Sequence, residues 1–148
     1  GATTLWEHWG FSDNTYSHNH PMFGSVSQWF YHHVAGIRPA PGAVGFDRAV
    51  IAPQPVSELQ HASARYHSIR GEFGSSWKRT ADGFTLVTDI PVGAAAEVHL
   101  PAEADAVVTE SGTLLADAPF VRIKKRDGDK VIVEIESGHY EFAVIAPD

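Results

Sequence analysis

Cysteine is absent from the 148-residue sequence, and methionine occurs once, at Met22. Without thiols, disulfides and thiolate metal sites are excluded. Positive charge is scarce: 11 Lys and Arg stand against 18 Asp and Glu, a formal net charge of −7. That balance speaks against nucleic acid as a partner, because a phosphate backbone demands a basic surface. It speaks equally against an anionic membrane surface. No apolar run approaches the length that crosses a bilayer. No basic-plus-apolar leader opens the chain, which begins at Gly1 already inside a motif and reads as starting in the middle of something larger. The compartment stays open: a soluble cytoplasmic protein or a secreted one fits equally well.

What is present is ordinary for a globular domain. The apolar fraction is 43% and the charged fraction 20%, close to average usage, and the length suffices for one real core. Thirteen glycines and nine prolines, spread along the chain, point to many turns and short strands. The character changes near residue 38. Before it, aromatics and histidines crowd together, among them Trp6, Trp9, His18, His20, Trp29 and His32. After it, the pattern alternates and is rich in turns.

The first part holds one helix. Phe23, Val26, Phe30, Val34 and Ile37 recur at helical spacing. Pro21 suits the first turn, and Gly36 followed by Pro39 and Pro41 ends it. The spacing predicts a helix over 22–35, preceded by a polar loop from Gly10 to Asn19 that delivers His18, Asn19 and His20 to its start. From Arg48 onward short strands are expected, at about 49–52, 62–70, 84–90, 95–100, 106–109, 120–125, 130–136 and 140–145. Asp127-Gly128 between two of them is a hairpin signal. The fold class expected is mainly β: an antiparallel sandwich preceded by a short helical segment.

Three groups of residues could carry chemistry. Glu7 lies between Trp6 and Trp9. Indole faces are good platforms for sugar rings, and apolar walls around a carboxylate suit it to general acid–base work. The plainer alternative puts both indoles in the core and Glu7 in solvent. The second group is Ser17-His18-Asn19-His20-Pro21. Asn19 or His20 would cap the helix, or the histidine would contact sugar hydroxyls. A metal is the weakest reading, since His32 and His33 point in different directions on a helix and no ligand set is complete. The third group is Tyr66, His67, Trp77 and Tyr140, which would line a carbohydrate-binding face or, for most of them, the core. No serine nucleophile elbow, phosphate loop or zinc-protease helix is present. No metal and no cofactor are expected.

Taken in order, the motifs resemble those of bacterial α-L-rhamnosidases. Gly1-Ala2-Thr3-Thr4-Leu5-Trp6-Glu7 followed by Trp9 is similar to a motif of that family, and Asn19-His20, Gly24-Ser25-Val26, Trp29-Phe30-Tyr31 and Ala35-Gly36-Ile37 follow as they do there. Pro41-Gly42, the stretch Val50 to Pro55, Gly71 and Trp77 continue the series. Ile90-Pro91-Val92, Val98-His99-Leu100-Pro101, Glu110-Ser111-Gly112 and the stretch Ser137 to Phe142 carry it to the end. Pro21-Met22 departs from the family, which more often has an aromatic and a small residue there.

The resemblance implies hydrolysis of terminal α-L-rhamnosides with inversion, on a catalytic barrel of six helical hairpins followed by a β-sandwich. It implies that residues 1–40 are the end of that barrel and 41–148 the sandwich. It makes Glu7 the general base and His20 a contact to L-rhamnose-containing glycosides; Trp6 and Trp9, which flank Glu7, are the further substrate-binding candidates. The family's general acid, another glutamate, is not in this sequence. Inverting hydrolysis needs two carboxylates roughly 6.5–9.5 Å apart, so the chain alone is expected to have little or no activity. The apolar helix face is then expected to pack on the sandwich, on the remainder of the catalytic barrel or on a second copy as a homodimer. The rival from another class is a stand-alone carbohydrate-binding or lectin-like module.

Overall fold

The computed structural model describes residues 2–10, 16–56 and 58–146. Gly1 of the opening motif and residues 11–15 of the expected Gly10–Asn19 loop lie outside the described residues. In chain order the strands are β1 (Ile37–Pro39), β2 (Arg48–Ile51), β3 (His61–Ser68), β4 (Gly71–Thr80), β5 (Gly83–Ile90) and β6 (Ala95–Pro101). They continue as β7 (Val107–Glu110), β8 (Thr113–Leu114), β9 (Val121–Asp127), β10 (Lys130–Ile135) and β11 (Gly138–Ile145). One sheet has the order β1-β2-β6-β10-β9, the other β3-β4-β5-β11-β7-β8.

Alternation builds the core. Strand β5 turns Phe84, Leu86, Thr88 and Ile90 inward and Thr85, Val87 and Asp89 outward. Ala96, Val98 and Leu100 of β6 and Val131, Val133 and Ile135 of β10 are buried in the same cluster from the other sheet. Phe73, Trp77 and Phe142 fill the space between the sheets. Each such large side chain contributes roughly 1.5–3 kcal/mol on burial. The buried Thr88 hydroxyl is satisfied by donating to the Gly74 carbonyl at 2.8 Å.

The pairings are antiparallel except for β2 with β6, which run parallel in the register Arg48 with Ala95. The Asp127-Gly128 signal marks the tight β9–β10 hairpin, with Asp127 paired to Lys130 and Gly128 at φ 61°. Three strands carry no clear sequence signal. Strands β1 and β8 are very short, and β4 hides its alternation behind Gly71, Gly74, Ser75 and Ser76.

Ion pairs cover the outer faces. Lys124 Nζ lies 2.6 Å from Glu97 Oε2 and 3.4 Å from Glu134 Oε1, and Arg122 pairs with Glu134. Burial pushes the Glu97 carboxyl up, but hydrogen bonds from Lys124 and His99 outweigh it and hold the group below the ordinary carboxylate value. The charges on β9 also guard an edge strand against pairing with another chain. On the other sheet, Arg65 pairs with Glu72 and lies 3.8 Å from Asp89, while His139 sits 2.6 Å from Asp89 and 3.3 Å from Glu141.

The helical segment departs most from expectation. It runs as a 3-10 turn (Pro21–Gly24), one α-helical turn (Val26–Trp29) and a π-helical stretch (Phe30–Val34). Its apolar face does not pack on the sandwich, the first of the three covers expected for it. Phe23, Val26 and Phe30 are 49%, 52% and 52% exposed, whereas Val34 is 8% exposed. Only the C-terminal end reaches the sheets; Tyr31 meets Tyr66 edge-on at 6.2 Å. Gly36, at φ 82°, ends the segment as its sequence position predicts.

Candidate functional site

The segments 2–10 and 16–20 lie side by side and share backbone hydrogen bonds. The Glu7 N–H donates to the Ser17 carbonyl at 2.9 Å, and the His20 N–H donates to the Leu5 carbonyl at 2.7 Å. The Thr4 hydroxyl also donates to the His18 carbonyl. These bonds bring two sequence-distant candidates together. His20 Nδ1 lies 3.8 Å from Glu7 Oε2, with the side chains 28% and 38% exposed. The Ser17 N–H donates to the same Oε2 at 2.9 Å and holds the carboxylate in place.

Glu7 opens into a cleft of about 730 Å³. Trp6, Trp9, Leu5, His8 and Phe23 line it, and among the described residues that line it Glu7 is the one carboxylate. The two indoles are therefore not core residues, as the plainer alternative had them: Trp6 is half-buried and Trp9 is exposed. Trp6 packs against the His18 ring at 5.3 Å. An apolar-walled cleft with one fixed carboxylate can hold a ring with a C–H-rich face and present a proton acceptor to it.

His20 occupies the N-cap position of the helical segment, but no side-chain capping bond forms there. Its ring instead sits between Glu7 and Phe23, the latter at a centroid distance of 5.3 Å. The capping expectation thus fails because the imidazole turns toward the carboxylate. Asn19 lies one residue before the N-cap position, and its N–H donates to the Ser17 hydroxyl at 3.2 Å. Sequence reasoning names Ser17 in the second group but gives it no role, because that role is carried by its backbone N–H and leaves no side-chain signature. It also places Phe23 on the apolar helix face and gives it no part in the cleft that it lines.

The sandwich candidates divide. Trp77 and Tyr140 are buried in the core, so no sugar platform forms around Trp77. Tyr66 and His67 lie at the surface, where His67 pairs with Glu72 at 3.0 Å. Among the described residues, no three His, Asp or Glu side chains gather as a metal site.

In sequence and fold the chain is similar to known proteins. The family model described as the bacterial alpha-L-rhamnosidase C-terminal domain matches residues 36–114, and the bacterial alpha-L-rhamnosidase 6 hairpin glycosidase domain matches residues 1–34. An alpha-L-rhamnosidase of Streptomyces avermitilis is 37% identical over 153 residues, covering 97% of this chain and 14% of that protein. One of Alteromonas sp. (strain LOR) is 33% identical, covering 98% of this chain and 15% of that protein. The solved alpha-L-rhamnosidase from Dictyoglumus thermophilum superposes with a TM-score of 0.80 at 34% identity, covering 98% of this chain and 16% of that one. The Streptomyces avermitilis enzyme complexed with L-rhamnose superposes with a TM-score of 0.78 at 30% identity, covering 96% and 14%. The chain thus spans about one-seventh of the length of the relatives it matches. By sequence and by fold it belongs to the bacterial α-L-rhamnosidase family, matching part of the six-hairpin domain and the C-terminal domain that follows it.

Proposed function

We propose that the chain is the C-terminal part of an α-L-rhamnosidase that hydrolyses terminal α-L-rhamnosides with inversion, and that it carries the general base but not the general acid. The observation that carries this reading is the Glu7 carboxylate, held by the Ser17 N–H beside His20 at an indole-walled cleft. Glu7 takes the proton from the attacking water. His20 contacts the rhamnose hydroxyls, and Trp6 and Trp9 pack against the sugar. The relative solved with L-rhamnose supports a rhamnoside as substrate.

Residues 1–40 belong in this reading to the helical catalytic barrel and 41–148 to the sandwich, with β1 (Ile37–Pro39) as the strand that joins them. The exposed face of Phe23, Val26 and Phe30 then packs on the remainder of the barrel, which also supplies the acid. A homodimer is the competing way to cover that face.

The test is hydrolysis of an aryl α-L-rhamnoside by the 148-residue chain. The expected result is no turnover above background, because a base without its acid and barrel wall cannot hold the substrate productively. Turnover that disappears in Glu7→Gln would overturn the division of labour, since the chain would then supply its own acid.

A further inference from the structure

The last four carbonyls of a helix have no partner within it and normally turn to water or to a local cap. Here the sandwich provides the donors, one for each of five consecutive carbonyls. His32 O accepts from Arg38 Nη1 at 3.4 Å, and His33 O accepts from the Gln54 N–H at 2.8 Å. Val34 O accepts from Trp77 Nε1 at 2.7 Å, and Ala35 O accepts from Ser75 Oγ at 2.7 Å. Gly36 O accepts from the Ala52 N–H at 2.9 Å. Trp77 and Ser75 reach across from β4 and are 1% and 2% exposed.

The junction has no slack. Val34 ends the helical segment and Ile37 begins β1. Gly36 is buried, and a β-carbon there would fall on the Ala52–Pro53 peptide. Boundaries between domains usually fall in exposed, flexible linkers; this one is a bonded joint. At the far end of the same segment stands His20, 3.8 Å from Glu7.

The segment of 14 residues is about 20 Å long at ~1.5 Å per residue, so a tilt of about 3° at the joint moves its far end by about 1 Å. A misplacement of about 1 Å in a catalytic constellation can cost about a hundredfold in rate. We propose that Trp77 and Ser75 are positioning residues of the hydrolytic site, which hold the helical segment by its final carbonyls and so fix His20 and Glu7 from within the sandwich. The proposal rests on the reading of Glu7 and His20 given above, and it gives the sandwich a part in the rate as well as in stability.

The test uses the full-length rhamnosidase polypeptide that contains this chain, with Ser75→Ala, Trp77→Phe, the double variant and Glu7→Gln compared on an aryl α-L-rhamnoside. In the double variant kcat is expected to fall about tenfold as Glu7 shifts, and KM to rise about threefold as His20 shifts. Hydrogen exchange over 20–34 is expected to quicken while the amides of β5 and β11 keep their protection. A kcat within twofold of the parent, with faster exchange over 20–34, would overturn the proposal by showing that the joint is only structural. If Trp77→Phe does not fold, Ser75→Ala decides alone, because it removes one hydroxyl and little volume. Full turnover by Glu7→Gln would sink the base assignment, while the dependence of kcat on Ser75 and Trp77 would still be read independently.

Discussion

The imidazole of His20 and the carboxylate of Glu7 stand 3.8 Å apart because the backbones behind them are bonded, His20 N–H to Leu5 O and Glu7 N–H to Ser17 O. The pair is therefore held by main chain, and either side chain can be changed without releasing the other.

That separation defines the first prediction. On the proposed reading of Glu7 as the base of a longer rhamnosidase, Glu7→Gln keeps the shape of the side chain and its bond from the Ser17 N–H but cannot accept the proton of water. Turnover should fall by at least about a thousandfold, with substrate binding little changed. His20→Ala should act mainly on binding and raise KM about tenfold, the cost of about one good hydrogen bond to a sugar hydroxyl. Steady-state kinetics of both variants measure the split; an unchanged KM in His20→Ala would remove the sugar contact.

Two glycines with nearly the same backbone angle supply the second. Gly36 has φ 82° and Gly93 has φ 81°. A β-carbon on Gly93 would meet nothing within 4 Å, whereas one on Gly36 would strike the Ala52–Pro53 backbone. Gly93→Ala should therefore cost only the left-handed penalty of about 1–2 kcal/mol. Gly36→Ala adds a steric clash with main chain in a buried joint and should cost at least about 3 kcal/mol. Denaturant unfolding of the two variants gives the comparison, and equal losses would contradict the packing at the joint.

The third concerns pH. Hydrogen bonds to Asp89 and then Glu141 raise His139 above the ordinary histidine value of about 6.5. A group whose folded value is raised contributes stability that is fully present below its unfolded value and is lost as pH rises through its folded value. Stability from His139 should thus decline from about pH 6.5 upward. The contribution is small, since the side chain is 56% exposed and screened by solvent. NMR titration of the imidazole should give a value above the ordinary one, and Asp89→Asn should bring it down. A normal value in the unmodified chain would mean the pair does not persist in solution.

Much of the sandwich is legible in the sequence, for a physical reason. Where one face of a strand is buried and the other wet, as in Phe84 to Ile90, the two-residue period writes the burial directly into the residue types. Strand β4 escapes because it is central and its outward positions include Gly74, which a β-carbon would drive into Asp89; small residues blur the alternation. The helical segment shows the opposite case. Its apolar spacing is real, yet Phe23, Val26 and Phe30 stay exposed, because periodicity reports a face that seeks cover and not where the cover lies. At the site, the motif order points to Glu7 and His20 separately. Their meeting depends on main-chain bonds between Leu5, Ser17 and their partners, which no side-chain pattern encodes.

The bonded joint also sets an order of events during synthesis. Trp77 follows Val34 by 43 residues, which a ribosome adds in roughly 2–9 s at about 5–20 residues per second. Through that interval the end of the helical segment has left the tunnel without the two side-chain donors from β4 that close it. The segment made first is thus finished by the sheet made second, and until β4 emerges its last carbonyls must be shared with water.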